Sequence, residues 1–299
     1  MKIVRSVAKM QELSRQARSG GLTVGFVPTM GYLHDGHVSL VRSAREHADM
    51  VVVSIFVNPT QFNSAEDFDN YPRDEKTDEA LLEEEGVDVL FIPSADEVYP
   101  SGACTRVSVS RLTDNLCGAF RPGHFEGVTT VVASLFHMVQ PDVAVFGRKD
   151  FQQLEVVRRM TRDLHFPVRI IAGQTLRESD GLAMSSRNAR LSPSEREQAP
   201  AIYRGLAAAA SAFAAGERTP QALTQTARAH LGDAFRVEYL EVVDPDAIAP
   251  ASAADERSVM AIAAWLGPVR LIDNVVLAEE AARLDESTST ASARRQATN

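Results

Sequence analysis

The 299-residue chain is 44% hydrophobic and carries a net charge of -9, with a calculated pI near 5.3. That apolar share suffices for a sizeable core and two domains, while the acidic balance excludes a general attraction to nucleic acid or an anionic membrane. No stretch approaches the roughly 20 apolar residues of a membrane span, and the N-terminus MKIVRSVAKM lacks a continuous apolar signal core, so a cytoplasmic location is expected.

Val4, Val7, Met10, Leu13 and Ala17 recur at helical spacing and predict a helix over 3–18, ended by Gly20 and Gly21. An apolar run over 22–27 predicts a strand that stops at Pro28. The stretch FVPTMGYLHDGHVSLV over 26–41 then reads as a strand, a turn containing Gly31 and Gly36, and the start of a helix that runs to about Ala48. Free amides at a helix start suit an anion, usually phosphate. Residues 50–57, MVVVSIFV, read as a buried parallel strand ended by Asn58 and Pro59. The polar stretch 60–73 follows a strand end, where open sheets commonly handle ligands.

Residues 74–85 predict a charged helix with Ala80, Leu81 and Leu82 inward, and 87–93 predict a strand. Glycine, proline and aromatics over 94–126 suggest a structured loop in a pocket wall, with a short strand candidate at 106–110. A helix over 127–139, a strand over 142–146 and a second strand-to-helix passage at 147–150 follow, then a strand over 167–172 and the polar loop TLRESDGLAMSSRN over 175–188. Beyond Ser194 come helices at 199–216 and 220–231 and strands at 236–243, 258–266 and 270–276. The pattern predicts an α/β domain with a parallel sheet over 1–188 and a smaller α+β domain with an antiparallel sheet over 189–284. Residues 285–299 lack an apolar pattern and are expected to be disordered. Cys104 and Cys117 match no zinc-ligand spacing and read as buried or incidental thiols.

His34 and His37 stand three positions apart at a helical entrance, so they can face one way and donate to phosphate, more strongly if protonated. The competing readings are a capping or core pair, or zinc ligands lacking a third partner. Lys149 follows a strand near a helix start, where its charge reaches a bound phosphate; a solvated lysine is the bland alternative. Met184, Ser185, Ser186 and Arg187 offer hydroxyls and a guanidinium, either for phosphate or as a serine-rich linker. Glu66, Asp67, Asp69 and Glu75 read as a solvated loop rather than a metal cluster.

Six blocks stand in order between residues 28 and 188: PTMGYLHDGHVSLV, SIFVNPTQF, YPR, RPGHFEGVTTVV, FGRKDFQQL and RESDGLAMSSRN. Together they closely resemble the bacterial pantothenate synthetase (pantoate–β-alanine ligase) family. EYLEVVD at 238–244 and RLIDN at 270–274 extend the likeness to most of the chain, the tail excepted. The pattern His34-Asp35-Gly36-His37 alone is also seen across nucleotidyltransferases and class I aminoacyl-tRNA synthetases, so the specificity lies in the ordered set.

The resemblance implies condensation of (R)-pantoate with β-alanine through a pantoyl adenylate, with ATP giving AMP and pyrophosphate. It implies a Rossmann-like ATP domain, a smaller C-terminal lid domain, Mg²⁺ and a homodimer. By the same likeness, Met30, Gly31, Tyr32, Leu33, His34, Asp35, Gly36 and His37 form the first ATP segment, with His37 matching the family's proton donor. Gly147, Arg148, Lys149 and Asp150 form the second, with Lys149 toward the phosphates. Arg148 replaces a usual glutamate there and is expected to point away. Met184, Ser185, Ser186 and Arg187 form the third, and Leu176 matches a backbone contact to adenine. Gln61 and Gln153 match pantoate-binding glutamines, Gln61 also lying near β-alanine. Pro28, Met30, Phe62 and either Val132 or Val131 are candidates for an apolar wall, Arg121 for the pocket, and Asn58 and Tyr71 for the pocket or for loop support.

Two other readings share parts of this pattern. A nucleotidyltransferase acting on a phosphorylated molecule fits PTMGYLHDGH, but Gln61 and Gln153 supply no extra positive charge for that phosphate. A nucleotide-binding regulator without turnover fits poorly with a complete set of His34, His37, Lys149 and Arg187. No basic face or RNA module supports tRNA binding.

Overall fold

The computed structural model describes residues 1–296, with side chains through residue 286. The chain folds as two compact units, one of 1–176 with 184–186 and the other of 177–183 with the residues from 187 onward. The division therefore falls before the expected boundary at 188, and the loop over 176–187 passes back and forth between the units.

The first unit is built on six parallel strands: β1 (Lys2–Val4), β2 (Val24–Thr29), β3 (Met50–Ile55), β4 (Val89–Phe91), β5 (Val143–Gly147) and β6 (Arg169–Gly173), in the order β1-β4-β3-β2-β5-β6. Their registers are all parallel. The helices are α1 (Val7–Ser19), α2 (Asp35–Arg45), α3 (Ala65–Asp69), α4 (Glu75–Glu84), α5 (Ala95–Val98), α6 (Leu116–Phe120), α7 (His124–Val139) and α8 (Phe151–Asp163). Strand order reverses between β2 and β5, which makes a crevice at their carboxyl ends. Val51, Val52 and Val53 of β3 are fully buried, as a strand covered on both faces requires.

The first residues do not join a helix as their spacing predicts. Lys2–Val4 pairs with β4 instead, and α1 begins after Ser6, whose Oγ caps the Lys9 N–H at 3.3 Å. Residues 106–110 form no strand. Val107 is held by side chains, its N–H donating to Thr130 Oγ1 at 3.0 Å and its carbonyl accepting from Thr129 Oγ1. Cys104 is exposed and Cys117 buried.

The second unit contains α9 (Pro193–Gln198), α10 (Ala201–Ala214), α11 (Pro220–Arg228) and strands β7 (Phe235–Asp244), β8 (Ala249–Pro250), β9 (Val259–Leu266) and β10 (Val269–Val276). The strands are antiparallel in the order β10-β9-β7-β8. Leu206, Leu223, Met260 and Ile262 fill the core between helices and sheet. Gly205 lets α10 approach α11, because a Cβ there would lie 2.5 Å from the Ala227 carbonyl oxygen. Helix α12 (Leu277–Gln296) covers residues 285–296, which were expected to be disordered; 297–299 lie outside the described residues. The segment has no glycine or proline and contains alanine, arginine and glutamine, so helix continues without an apolar face to announce it.

Candidate active site

The turn after β2 is built by a strained backbone and a buried acid. Gly31 and Tyr32 take positive φ values of 81° and 53°. Thr29 Oγ1 donates to the Ser54 carbonyl at 2.7 Å and accepts the Gly31 N–H at 3.2 Å. Asp78 reaches across from α4, its two carboxylate oxygens accepting the N–H groups of Tyr32 at 2.8 Å and Leu33 at 2.7 Å. Sequence spacing missed this residue by treating the inner face of α4 as apolar. Asp78 and Leu82 are buried, whereas Ala80 is exposed. Burial pushes the Asp78 carboxyl above the ordinary range, partly offset by the two N–H donors. Gly31 is required twice over: its φ is left-handed, and a Cβ would stand 3.0 Å from both Asp78 Oδ2 and Ile55 Cγ2.

The two histidines then close the start of α2. His34 is the N-cap, and its Nδ1 accepts the Gly36 N–H at 3.1 Å. His37 Nδ1 in turn accepts the His34 N–H at 3.3 Å, completing a reciprocal capping box. An Nδ1 that accepts carries no proton, so a neutral ring holds its hydrogen on Nε2. Both rings are thereby set as Nε2–H donors. Their centroids are 4.1 Å apart. Gly36 makes room for this arrangement, since a Cβ would lie 2.8 Å from His34 Cε1 and Nδ1.

The expected strengthening by protonation is not what the surroundings of His37 favour. Burial pushes its pKa down to about 3, and the neighbouring His34 ring and Lys149 act in the same direction. Its place in the first turn of a helix, at the positive end of the dipole, adds to this. His37 is a neutral donor at pH 7. The capping reading and the phosphate-donor reading are also compatible: Nδ1 serves the helix while Nε2 carries the proton.

Lys149 lies on the short 3-10 turn Arg148–Asp150 that leaves β5, across the strand-order reversal from the histidine turn. Its side chain is 19% exposed and its Nζ stands 3.9 Å from Asp150 Oδ2. Arg148 is partly buried. Gly147 begins this turn, and Gly173 on β6 packs so tightly on Leu40 that a Cβ would come within 2.1 Å of Cδ2.

The later segment joins the same unit. Ser186 is buried and donates from Oγ to the Tyr32 carbonyl at 3.0 Å. Met184 N–H donates to the Leu176 carbonyl at 3.0 Å, and Leu176 is an exposed apolar residue. Met184 lies beside Gly36, where an added Cβ would be 3.7 Å from Met184 Cβ. Ser185 is partly buried between them in sequence. Arg187 is the next residue along the 3-10 turn Ser186–Arg190 and begins the return to the second unit.

Gln61 sits at the end of the 3-10 turn Pro59–Gln61 after β3. Its Oε1 accepts from Asn58 Nδ2 at 3.0 Å, while its Nε2 donates to the Met30 sulfur at 3.3 Å. Asn58 supports the loop: buried to 1% exposure, it also donates to the Gly127 carbonyl at 3.1 Å and accepts from Tyr99 Oη at 2.8 Å. Arg121 Nη2 and His124 Nδ1 both meet the Gln61 carbonyl, at 3.0 and 2.7 Å. Tyr71 is buried, with Phe62 edge-on at 5.7 Å. Gln153 is partly buried on the first turn of α8, and no bond brings it to Gln61 here. Its neighbour Gln152 points into the protein and donates to the Leu112 and Asn115 carbonyls at 2.9 and 2.8 Å. Asp67 and Asp69 belong to the short helix α3. Among the described residues, no group of three histidine, cysteine or acidic side chains is placed to hold a metal ion.

The family model described as pantoate-beta-alanine ligase matches residues 2–276. Pantothenate synthetase 1 of Bradyrhizobium diazoefficiens is 54% identical over 93% of this chain and 98% of its own length. The crystal structure of pantothenate synthetase from Thermus thermophilus superposes with a TM-score of 0.87 at 47% identity, covering 93% of this chain and 99% of that one. The pantoate-beta-alanine ligase of Francisella tularensis, complexed with beta-gamma ATP and beta-alanine, gives 0.77 at 32% identity over 93% of this chain and 98% of that one.

Proposed function

The chain belongs to the pantoate–β-alanine ligase family, and we propose that the β2–α2 turn, the end of β5 and the 184–186 segment form its ATP site. The reaction is the ATP-dependent condensation of pantoate with β-alanine, giving pantothenate, AMP and diphosphate. In the first half, a pantoate carboxylate oxygen bonds to the α-phosphorus as the bond to pyrophosphate breaks. In the second, the β-alanine amine attacks the acyl carbon and AMP departs.

Charge grows on the phosphoryl oxygens and pyrophosphate during the first half, so fixed donors at those oxygens lower the barrier. The Nε2–H groups of His34 and His37 supply two. They need no reorganisation because each Nδ1 is already committed to the helix start. Lys149 supplies the positive charge from the facing strand end, and Arg187 is assigned a second cationic contact. Met30, Gly31, Tyr32, Leu33, Asp35 and Gly36 line the turn. Gly147, Arg148 and Asp150 flank Lys149, while Leu176, Met184, Ser185 and Ser186 flank the nucleotide from the later segment. His37 holds its proton throughout and stabilises departing pyrophosphate by a hydrogen bond rather than by proton transfer.

Gln61 and Gln153 are assigned to pantoate, with Gln61 also near β-alanine. The Gln61 Nε2–H rests on a thioether, a weak acceptor. A carboxylate or hydroxyl of pantoate replaces that partner at a net gain. A phosphate-bearing substrate would call for more positive charge than two amides provide.

Mg²⁺ would accompany the ATP phosphates at this site, where Asp150, 3.9 Å from Lys149 Nζ, offers an acidic side chain. When bound it neutralises phosphate charge. A homodimer and a cytoplasmic location complete the proposal on family likeness. None of the described helices is long and apolar enough to cross a membrane.

The observation that carries the site assignment is the reciprocal capping box, in which the Nδ1 of each histidine accepts a backbone N–H. Its test is product analysis with ATP, Mg²⁺, pantoate and β-alanine. AMP and pantothenate form in equal amounts if the reading is right, and ADP with phosphate would refute the adenylate route. Light scattering reads the subunit number.

A further inference from the structure

Arg177 and Asp273 form a buried ion pair within the second unit, their side chains 12% and 3% exposed. The pairing is bidentate, with Nη1 on Oδ2 at 2.6 Å and Nη2 on Oδ1 at 3.0 Å. Nη1 also donates to the Gly181 carbonyl at 3.2 Å, and the guanidinium carbon lies 4.0 Å from the centre of the Tyr203 ring. Asp273 belongs to β10 and Tyr203 to α10.

Arg177 is also the first residue inside a small hairpin. Met184 N–H bonds the Leu176 carbonyl at 3.0 Å, Arg177 bridges Ala183, and Glu178 N–H bonds the Leu182 carbonyl at 2.8 Å. The tip folds on Gly181, at φ +94°, where a Cβ would lie 2.3 Å from Tyr203 Cδ1. Arg196 grips the tip through Asp180 at 2.6 Å and through Glu178. The two ends of this hairpin are Leu176 and 184–186, the segments assigned above to the nucleotide.

We infer that Arg177 is a positioning residue for ATP: anchored on Asp273 and Tyr203, it fixes the register in which Leu176 and Met184–Ser186 meet the nucleotide. The inference rests on the ATP-site reading. Its chemistry requires arginine in particular. One planar group must meet both carboxylate oxygens, the Gly181 carbonyl and the Tyr203 face together, which a lysine ammonium cannot do. Charge alone is therefore not enough.

The test compares wild type, Arg177→Lys and Asp273→Asn in pantoate-dependent pyrophosphate exchange, with ATP-analogue binding measured by calorimetry. The wild-type control must exchange; if it does not, the functional reading fails rather than this inference. The expected signature is a KM for ATP raised about tenfold in Arg177→Lys and less in Asp273→Asn, with the KM for pantoate changed by less than about twofold. Analogue affinity falls in parallel. A purely structural pair would lower thermal stability and kcat without that split. ATP affinity unchanged in both folded variants, or equal loss for ATP and pantoate, would overturn the inference. If Arg177→Lys fails to fold, Asp273→Asn alone decides, because it retains the shape and one acceptor oxygen.

Discussion

His37 is given two tasks on two ring nitrogens, and substitution can separate them. Asparagine places its carbonyl oxygen near the position of Nδ1 and leaves nothing at Nε2. Glutamine reaches toward the Nε2 position with an amide donor. The His34 N–H to Nδ1 bond is long, at 3.3 Å, so the lower half of the capping range applies, about 0.5–1 kcal/mol. A donor to a charged phosphate is worth about 1.5–3 kcal/mol, which is roughly 10- to 150-fold in rate. His37→Asn should therefore keep its stability within about 0.5 kcal/mol of wild type, yet lose that factor in pyrophosphate exchange. His37→Gln should recover part of the rate, and His37→Ala should lose both rate and cap. Urea unfolding and the exchange assay read the two effects. Near-normal exchange in His37→Asn would refute the Nε2–H role, and equal stability of the Ala and Asn variants would refute the capping role.

The same ring gives a pH prediction. Its pKa is about 3 in the folded protein against an ordinary value of 6.5. Between those values the unfolded chain binds a proton that the folded chain does not, so this group makes stability rise with pH across the window and fall as the pH drops through it. NMR of labelled His37 should show a neutral Nε2–H ring down to pH 5; protonation near pH 6.5 would contradict the assignment. Asp78→Asn replaces one acceptor of two backbone N–H groups with a donor, and should cost about 2–4 kcal/mol in urea unfolding while raising the KM for ATP; a loss under about 0.5 kcal/mol would contradict its part in holding the turn. Gly36→Ala should displace the His34 ring, raising the KM for ATP about tenfold and costing about 0.5–2 kcal/mol of stability as the His34 cap is lost. Unchanged ATP kinetics would show that the ring position is immaterial. Gly127→Ala drives a Cβ to 2.5 Å from the Thr60 carbonyl oxygen, and should destabilise by about 1–3 kcal/mol; no shift in the unfolding midpoint would count against the tight seating of α7 on the Gln61 turn.

The sheet was legible because β2, β3 and β5 are short apolar runs after which helical spacing resumes, and because Asn-Pro and Gly mark the ends of β3 and β5; the expected stop of β2 at Pro28 is not found, since the strand runs on to Thr29 with Pro28 still paired to Ser54. The β2–α2 turn, proposed to bind phosphate, could be located from Gly31, Gly36 and the spacing of His34 and His37. What holds that turn could not. Asp78 lies 45 residues beyond Leu33 in a helix of ordinary charged composition, and only the tertiary fold turns it inward. The ring tautomers were hidden for a related reason, since they depend on which backbone N–H each Nδ1 accepts. Polarity misled at both ends of the chain. Lys2–Val4 is short enough to be absorbed into a helical pattern, yet β4 offers it a free edge. The run after Leu284 has no apolar face, a fact about packing that does not exclude helix. Gln61 was proposed by likeness alone, because a glutamine after a strand carries no compositional signal; the structure adds that its amide rests on the Met30 sulfur.

Every role assigned above turns on activation of pantoate by adenylation at the β2–α2 turn. The most direct measurement is exchange of labelled pyrophosphate into ATP by the purified protein, without β-alanine, in the presence and absence of pantoate. Exchange should require pantoate, fall in His37→Asn and Lys149→Ala, and give way to AMP and pantothenate when β-alanine is added. Exchange independent of pantoate, or undiminished in both variants, would contradict adenylation at this turn.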